Sequence, residues 1–483
     1  MTAHQTSSQQ PAAKVCPIRF GTDGWRAVIA EDYTFENVRW AARAIAQYLI
    51  SEEDIRKGLI VGYDCRFLSD RFARAAAEEV AAAGIPVRLA NNFAPTPAIA
   101  LAVREQKAAG AIVITASHNP WEWNGVKFKA RYGGSAAPEI IQKIEAELPQ
   151  AARRADPPGG ASAKLETTDL VEPYLRQIET VVDFRSIAAR DFFFVADPMY
   201  GAARRCLARL FERHGIRHRE IHGEADPLFG GLHPEPIEPH VHALRQTVLA
   251  ADADAGFATD GDADRVGAID RTGDFIDSHQ IFSILLRYLV EVRGMKGGVT
   301  KTFSTTKLVD KLARKYGLPL YETPIGFKYI AEHMLSKDIL IGGEESGGIG
   351  IPAFGGPERD GVLNAALLAQ AMAHYGKSLG ELVSELHEEF GPHHYGRADL
   401  TLRPGQKERA VEAVSGSGLD RFVGYRVTQR EDLDGVKLYF DNGAWLLIRP
   451  SGTEPLLRVY AEASSPELVQ EILAGAEGFI RGL

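Results

Sequence analysis

The sequence predicts a multidomain α/β protein, with three α/β units of one topology followed by a smaller α+β domain. Three observations carry that prediction. The chain has 483 residues, and length alone suggests roughly three or four domains. A buried strand, a loop, an amphipathic helix and a second strand recur from residues 59, 192 and 297. From residue 393 onward the pattern changes to short strands and one closing helix.

The repeated unit reads the same way each time. "LIVGYD" (59–64) leads through a helical stretch to "AAGIPVRLA" (82–90). "FFFVADPMYG" (192–201) leads to "RHGIRHREI" (213–221), and "GGVTKTFSTT" (297–306) to "KYGLPLYET" (315–323). In each, a glycine stands where the helix should end and the next strand begin. "RRADPPGGASAK" (153–164) reads as a linker. "AIDRTGDFID" (268–277) reads as a hairpin turning at Thr272-Gly273 that closes the second unit and opens the third. "FGPHHYGRADL" (390–400) separates the third unit from strands "YFDNGAWLLIRP" and "LLRVYAEA" and a helix near 466–481. The expected units are a disordered tail at 1–14, then 15–163, 164–272, 273–392 and 393–483.

Composition narrows the function. A net charge of −9 leaves no basic footprint for nucleic acid, so an anionic substrate needs a local positive site. Cys16, Cys65 and Cys206 lie far apart without a CxxC pair, which fits a reducing cytoplasm. No apolar run reaches the ~18 residues of a membrane span, and the N-terminus lacks the apolar core of a signal peptide. A cytoplasmic enzyme for a small molecule is expected, with neither nucleic acid nor membrane as partner.

"TDGDADR" (259–265) is the strongest chemical signal. Asp260, Asp262 and Asp264 alternate between two apolar runs, so a loop between buried strands can bring them to one point. Clustered carboxylates repel unless a cation joins them, and oxygen-only ligands select Mg²⁺ or Mn²⁺. An EF-hand does not fit, because Arg265 and Arg271 stand where a glycine and a bidentate glutamate are needed. A solvated acidic turn is the alternative. Arg265 adds a cation able to grip phosphate oxygens.

"TASHNP" (115–120) displays Ser117 after the buried run "GAIVI" and before an Asn-Pro turn. It matches neither GxSxG nor a P-loop. His118 and Lys127 supply groups that can neutralise phosphate or move protons. Taken singly, these residues also read as a helix cap, a structural histidine and a surface lysine. "GGEESGG" (342–348) offers Glu344 and Ser346 to sugar hydroxyls between permissive glycines, or is a flexible acidic loop. "RPSGTEP" (449–455) groups Arg449, Ser451, Gly452 and Thr453 into an anion nest, or is a plain turn. "FGTDGWR" (20–26) places Arg26 after a glycine turn, and "TPIGFKY" (323–329) places Gly326 and Lys328 on a strand-end loop.

Together, "TASHNP", "DGDADR", "GEESGG" and "RPSGTEP" resemble the four signature loops of the α-D-phosphohexomutase superfamily, in order and across nearly the whole chain. The resemblance implies three similar α/β domains with mixed sheets and a C-terminal TATA-box-binding-protein-like domain around a central cleft. It implies transfer of phosphate between the 1- and 6-hydroxyls of a hexose, with hexose 1,6-bisphosphate as intermediate and activator. By position, Ser117 would be the phosphoserine, and Mg²⁺ would be held by Ser117, Asp260, Asp262 and Asp264. Arg26, His118, Lys127 and Arg265 would line the catalytic end, with Lys127 or His118 as acid/base. Glu344 and Ser346 would bind the sugar. Arg449, Ser451, Gly452 and Thr453 would hold the other phosphate, with Lys301 beside it.

Glu345 and Gly348 depart from the GEQSGH- and GEMSGH-like loops of glucosamine- and mannose-type relatives. "TPIGFKYI", with Phe327 and Lys328 after Gly326, resembles the phosphoglucomutase loop. Glucose 1-phosphate/glucose 6-phosphate is therefore the expected pair. Mannose or glucosamine phosphates, or non-catalytic sugar-phosphate binding, are the alternatives. The chain is expected to work as a monomer or a homodimer.

Overall fold

The computed structural model describes residues 16–21, 23–153, 162–403, 405–415, 419–450 and 456–483. The expected tail at 1–14, most of the linker, and Ser451, Gly452 and Thr453 lie outside these residues.

Each α/β unit is built on one four-strand sheet pattern. The first sheet contains β1 (Trp25–Val28), β2 (Leu59–Tyr63), β3 (Val87–Ala90), β4 (Gly110–Ile114), β5 (Trp123–Ala130), β6 (Gly134–Ser135) and β7 (Leu165–Thr168). The second contains β8 (Phe193–Asp197), β9 (Arg217–Glu220), β10 (Ala255–Thr259), β11 (Val266–Asp270) and β12 (Phe275–Ile276). The third contains β13 (Gly298–Thr302), β14 (Leu320–Thr323), β15 (Ile339–Gly343) and β16 (Ile349–Gly350). In spatial order the shared cores are β5-β4-β2-β3, β11-β10-β8-β9 and β16-β15-β13-β14. In every case three strands run parallel and the outer one returns antiparallel. The sheets are therefore mixed.

The reason is legible in the strands. The inner strands β4, β10 and β15 read "GAIVI", "AGFAT" and "ILIGG", and every residue in them is buried. Such strands need cover on both faces, which the crossover helices supply. Several helices start on side-chain caps. Thr34 caps Phe35–Glu52, and Asp277 with Gln280 forms a capping box for Ser278–Glu291. Helix Gly361–Tyr375 is apolar around most of its circumference, because it packs on β10 and β11 of the second sheet and on Ser278–Glu291 of the third unit.

The repeat also places the chemistry. The turn from β4 to β5 carries "TASHNP", that from β10 to β11 carries "DGDADR", and that from β15 to β16 carries "EESGG". One topological position, used three times, presents three different loops. The fourth unit has one antiparallel sheet ordered β17 (His394–Thr401), β22 (Leu456–Ala463), β21 (Trp445–Pro450), β20 (Val436–Phe440), β19 (Tyr425–Glu431) and β18 (Arg421–Phe422). Helices Gln406–Ser415 and Pro466–Gly482 pack their apolar faces on it. Its "RPSGTEP" segment joins β21 to β22.

Two expected boundaries move. β7 pairs in parallel with β3, so residues 165–168 complete the first sheet and the second unit begins after them, not at 164. The hairpin forms as expected, with Gly273 at φ 86° and its N–H on the Asp270 carbonyl. Its second strand, β12, pairs with β11, so the hairpin stays with the second sheet. The third unit therefore starts at the helix Ser278–Glu291, not at 273.

Candidate active site

The serine and aspartate loops meet directly. Ser117 donates from Oγ to Asp260 Oδ2 at 2.8 Å, and both residues are fully buried. Ser117 sits at φ +52°, a left-handed backbone that a non-glycine residue adopts rarely. Asp260 Oδ1 accepts from the amides of Asp264 (3.0 Å) and Arg265 (3.1 Å), which curls the loop back on itself. Asp262 Oδ2 accepts from Thr96 Oγ1 at 2.6 Å, tying the second unit to the first.

Lys127 reaches this cluster from β5, beside the serine loop. Its Nζ lies 2.8 Å from Asp23, 2.9 Å from Asp262 and 3.4 Å from Asp264. Burial works against the ammonium, but these three carboxylates outweigh it and hold Lys127 protonated above its ordinary range. Burial, then the charges of Arg265 and Arg26, push the His118 imidazole well below its usual value. Its Nδ1 is buried without a hydrogen-bond partner among the described residues. Arg26 donates to Asn119 Oδ1 at 2.6 Å. Arg265 reaches Glu235 at 3.3 Å, with Nε 3.9 Å from both Asp260 and Asp264.

The triad fits a hard divalent cation. Asp260, Asp262 and Asp264 each offer an oxygen within 4.8 Å of the others. Burial and the charges of Asp264 and Asp262 hold the Asp260 carboxyl well above the usual carboxylate range. Burial also pushes Asp262 up, but Lys127 and the Thr96 hydroxyl outweigh it and leave that carboxyl low. The Oδ1 atoms of Asp262 and Asp264 are buried and, among the described residues, without hydrogen-bond partners. Lys127 contacts only the Oδ2 atoms of these two residues. Orphaned carboxylate oxygens in an all-oxygen set are what Mg²⁺ or Mn²⁺ satisfies.

The sugar-type loop connects to the same cluster through a residue the sequence reading missed. Arg359 bonds Glu344 Oε1 at 2.9 Å, Asp23 Oδ2 at 2.8 Å and Asp264 Oδ2 at 2.6 Å, with its guanidinium 5.2 Å from the Phe327 ring. Ser346 Oγ donates to Glu344 Oε1 at 2.7 Å. Burial raises Glu344 despite Arg359. A lone arginine in "GPERDG" gave no signal, and Asp23 was passed over in "FGTDGWR" in favour of Arg26.

The remaining expected residues lie in the third and fourth units. Lys301 is fully buried in β13, where its ammonium meets Asp310, Glu322 (3.4 Å) and the carbonyls of Thr305 and Thr306. These partners, among the described residues, all lie in the third unit. Phe327 and Lys328 begin the helix Phe327–Ser336, not a loop, with Gly326 at its N-cap (φ 131°). Phe327 is buried with Ile330 and Met334 and serves as core. Lys328 lines a cavity of about 190 Å³ beside Asp23. Arg449 is held by Asp434 at 2.8 Å, and the other Asp434 oxygen accepts from the Ile325 amide at 2.8 Å, linking the third and fourth units.

Residues 17–155, 172–273, 277–390 and 402–476 match, respectively, the α/β/α domains I, II and III and the C-terminal domain of phosphoglucomutase/phosphomannomutase. The chain is 32% identical to a phosphoglucomutase/phosphomannomutase of Thermococcus kodakarensis, over 94% of this chain and 96% of that one. It is also 32% identical to a phosphoglucosamine mutase of Carboxydothermus hydrogenoformans, over 94% and 97%. The crystal structure of a candidate phosphomannomutase from Thermus thermophilus superposes with a TM-score of 0.85 at 37% identity, covering 96% of this chain and 99% of that one. With the serine, the buried aspartate triad and the sugar-type loop on the three equivalent turns, the chain belongs to the phosphoglucomutase/phosphomannomutase family of α-D-phosphohexomutases and is an isomerase that moves phosphate on a hexose.

Proposed function

We propose that the chain interconverts glucose 1-phosphate and glucose 6-phosphate, with Ser117 as the phosphoryl carrier. The observation that carries this reading is the 2.8 Å bond between Ser117 Oγ and Asp260 inside the buried triad. A serine set against carboxylates that call for a cation suits a phosphate ester, whose charge the cation offsets. Asp260, Asp262, Asp264 and the Ser117 phosphate would hold Mg²⁺, which supplies charge neutralisation to the phosphoryl group.

The chain's own groups account for the rest. The bond between Ser117 Oγ and phosphorus breaks as the sugar hydroxyl bonds to phosphorus, giving a 1,6-bisphosphate. The hydroxyl proton needs an acceptor, and neutral His118 with its unpartnered Nδ1 is suited to take it. Lys127, held as a cation, is suited to stabilise the serine oxygen as it leaves and to give it a proton. The bisphosphate then turns over in the cleft, its other phosphate passes to Ser117, and the protons move in reverse. Glu344 and Ser346 orient the sugar hydroxyls in both directions. Arg449 with the loop that follows it holds the phosphate that is not being transferred.

Glucose is favoured by the sugar loop. A Cβ at Gly348 would stand 2.8 Å from Glu344 Oε1 and closer still to the Arg359 side chain. Arg359 therefore takes the room that a histidine there would need. Mannose 1-phosphate is the second reading, supported by the Thermococcus kodakarensis relative's double name. The test is incubation with glucose 1-phosphate, Mg²⁺ and a trace of glucose 1,6-bisphosphate, following glucose 6-phosphate and free phosphate. Mannose and glucosamine phosphates run in parallel. Glucose 6-phosphate forming fastest is expected. A higher kcat/KM for either other sugar refutes the glucose assignment, and free phosphate alone refutes the mutase.

A further inference from the structure

We propose that Arg66, backed by Asp64, is a positioning residue that sets the backbone of the phosphoryl-carrying serine. The proposal rests on the assignment of Ser117 as carrier. Arg66 is 3% exposed and touches no atom that reacts. Its Nη2 donates to the carbonyls of Ser117 and Asn119, each at 2.6 Å. Its Nη1 donates to those of Pro120 (2.8 Å) and Trp123 (3.0 Å). One planar cation thus gathers four carbonyl oxygens of the serine loop, whose dipoles would repel each other without it.

The other side of the same residue is held from the same place. Ser117 N–H donates to Thr115 Oγ1 at 2.9 Å, and Thr115 Oγ1 donates to Asp64 Oδ2 at 2.6 Å. Asp64 Oδ2 lies 3.2 Å from Arg66 Nε, and Asp64 Oδ1 accepts from the Arg66 amide at 3.0 Å. The N–H of Ser117 is therefore fixed through Thr115 and its C=O through Arg66, with Asp64 anchoring both. Two groups clamp one residue in a left-handed conformation it would otherwise leave.

The second unit fixes the plane of the clamp. The Arg66 guanidinium lies 4.9 Å from the Phe229 ring, and Gly261 of the metal loop packs against the Ser117 carbonyl. Arg66 so sits where the serine loop, the metal loop and the second unit meet. Lysine cannot replace it, because one ammonium has three donors and no fork to span four acceptors. The consequence is a fixed place for Ser117 Oγ, and a shift of about 1 Å in a reacting group can cost about 10²-fold in rate.

The test uses the full-length protein with Mg²⁺ and glucose 1,6-bisphosphate, in variants Arg66→Lys, Thr115→Val and Thr115→Ser. Arg66→Lys should lower kcat per folded molecule by about 10²-fold or more while KM for glucose 1-phosphate stays within about threefold. The rate of phosphate transfer from labelled bisphosphate to Ser117 should fall by the same factor. Thr115→Val should lower kcat about 10-fold, and Thr115→Ser, which restores the hydroxyl, should recover it. Arg66→Lys with normal kcat per folded molecule overturns the proposal, as does Thr115→Ser behaving like Thr115→Val. If Arg66→Lys fails to fold, the threonine pair decides, and normal activity in Thr115→Val overturns it. Ser117→Ala with full activity refutes the carrier assignment instead, whatever the Arg66 variant does.

Discussion

Gly261→Ala probes the contact on which the active-site geometry depends. Gly261 lies between Asp260 and Asp262, and its backbone is outside the left-handed region, so alanine carries no conformational penalty there. The cost is steric. An added Cβ would stand inside 3.0 Å of the Ser117 carbonyl oxygen, where ordinary contact begins at 3.4 Å. That oxygen is backbone, and Arg66 Nη2 holds it at 2.6 Å, so it cannot yield cheaply. The serine and metal loops must part by about 0.5–1 Å, which stretches the 2.8 Å bond from Ser117 to Asp260 beyond good geometry. A displacement of that size should lower kcat by about 10–10²-fold. Overpacking should cost about 1–3 kcal/mol of stability. The assay is initial-rate conversion of glucose 1-phosphate at saturating Mg²⁺ and bisphosphate, beside a thermal melt. Gly215→Ala is the control. Gly215 has φ 67° and, among the described residues, no heavy atom within 4 Å of the added Cβ, so that variant should lose some stability and no kcat. Gly261→Ala with kcat within twofold of the parent would refute the claim that the two loops are held in register by this contact.

Two further outcomes follow from buried carboxyl groups. Asp260→Asn removes the carboxyl that its neighbours push upward. The variant should melt higher than the parent without metal at pH 7, should gain less from added Mg²⁺, and should have little activity. Equal Mg²⁺-dependent melting shifts in both proteins would rule out Asp260 as a ligand. Asp360, which caps helix Gly361–Tyr375 and accepts from Tyr174 Oη at 2.6 Å, is pushed up to about 7 by burial, despite that bond and the Leu363 amide. Its folded-state value is above its unfolded one, so its contribution is complete below the ordinary carboxylate range and is lost as pH rises through about 7. Asp360→Asn keeps a neutral cap, so between pH 5 and pH 8 the variant's melting temperature should fall less than the parent's. Parallel curves would show that Asp360 does not carry this pH dependence.

Much of the fold and part of the site could be read before any coordinates, for reasons that particular residues explain. The three strand–helix–strand units are local patterns, and their buried runs and glycine helix ends announce them. The triad was legible because three aspartates between apolar strands have few structural uses. Boundaries were not, because strand pairing is non-local. "LETT" at 165–168 carries no mark that it pairs with β3 across the linker. Phe327 and Lys328 read as loop because Gly326 looks like a break, when it is the cap of a helix. Nothing in the sequence around Lys301 marks Asp310 and Glu322 as the carboxylates that meet its ammonium in the third unit. Arg359, Arg66 and Asp64 were invisible for the opposite reason. Each is an ordinary charged residue in sequence, and its importance comes from partners as far as 336 positions away, as between Arg359 and Asp23.

The central claim is that Ser117 carries the phosphoryl group. It is tested most directly by mixing the protein with glucose 1,6-bisphosphate labelled in phosphate, then locating the label by peptide mass spectrometry. The account predicts label on the peptide containing Ser117, its loss on addition of glucose 1-phosphate with label appearing in glucose 6-phosphate, and no label in Ser117→Ala. Label on another residue, or isomerisation at the parent rate by Ser117→Ala, would contradict it.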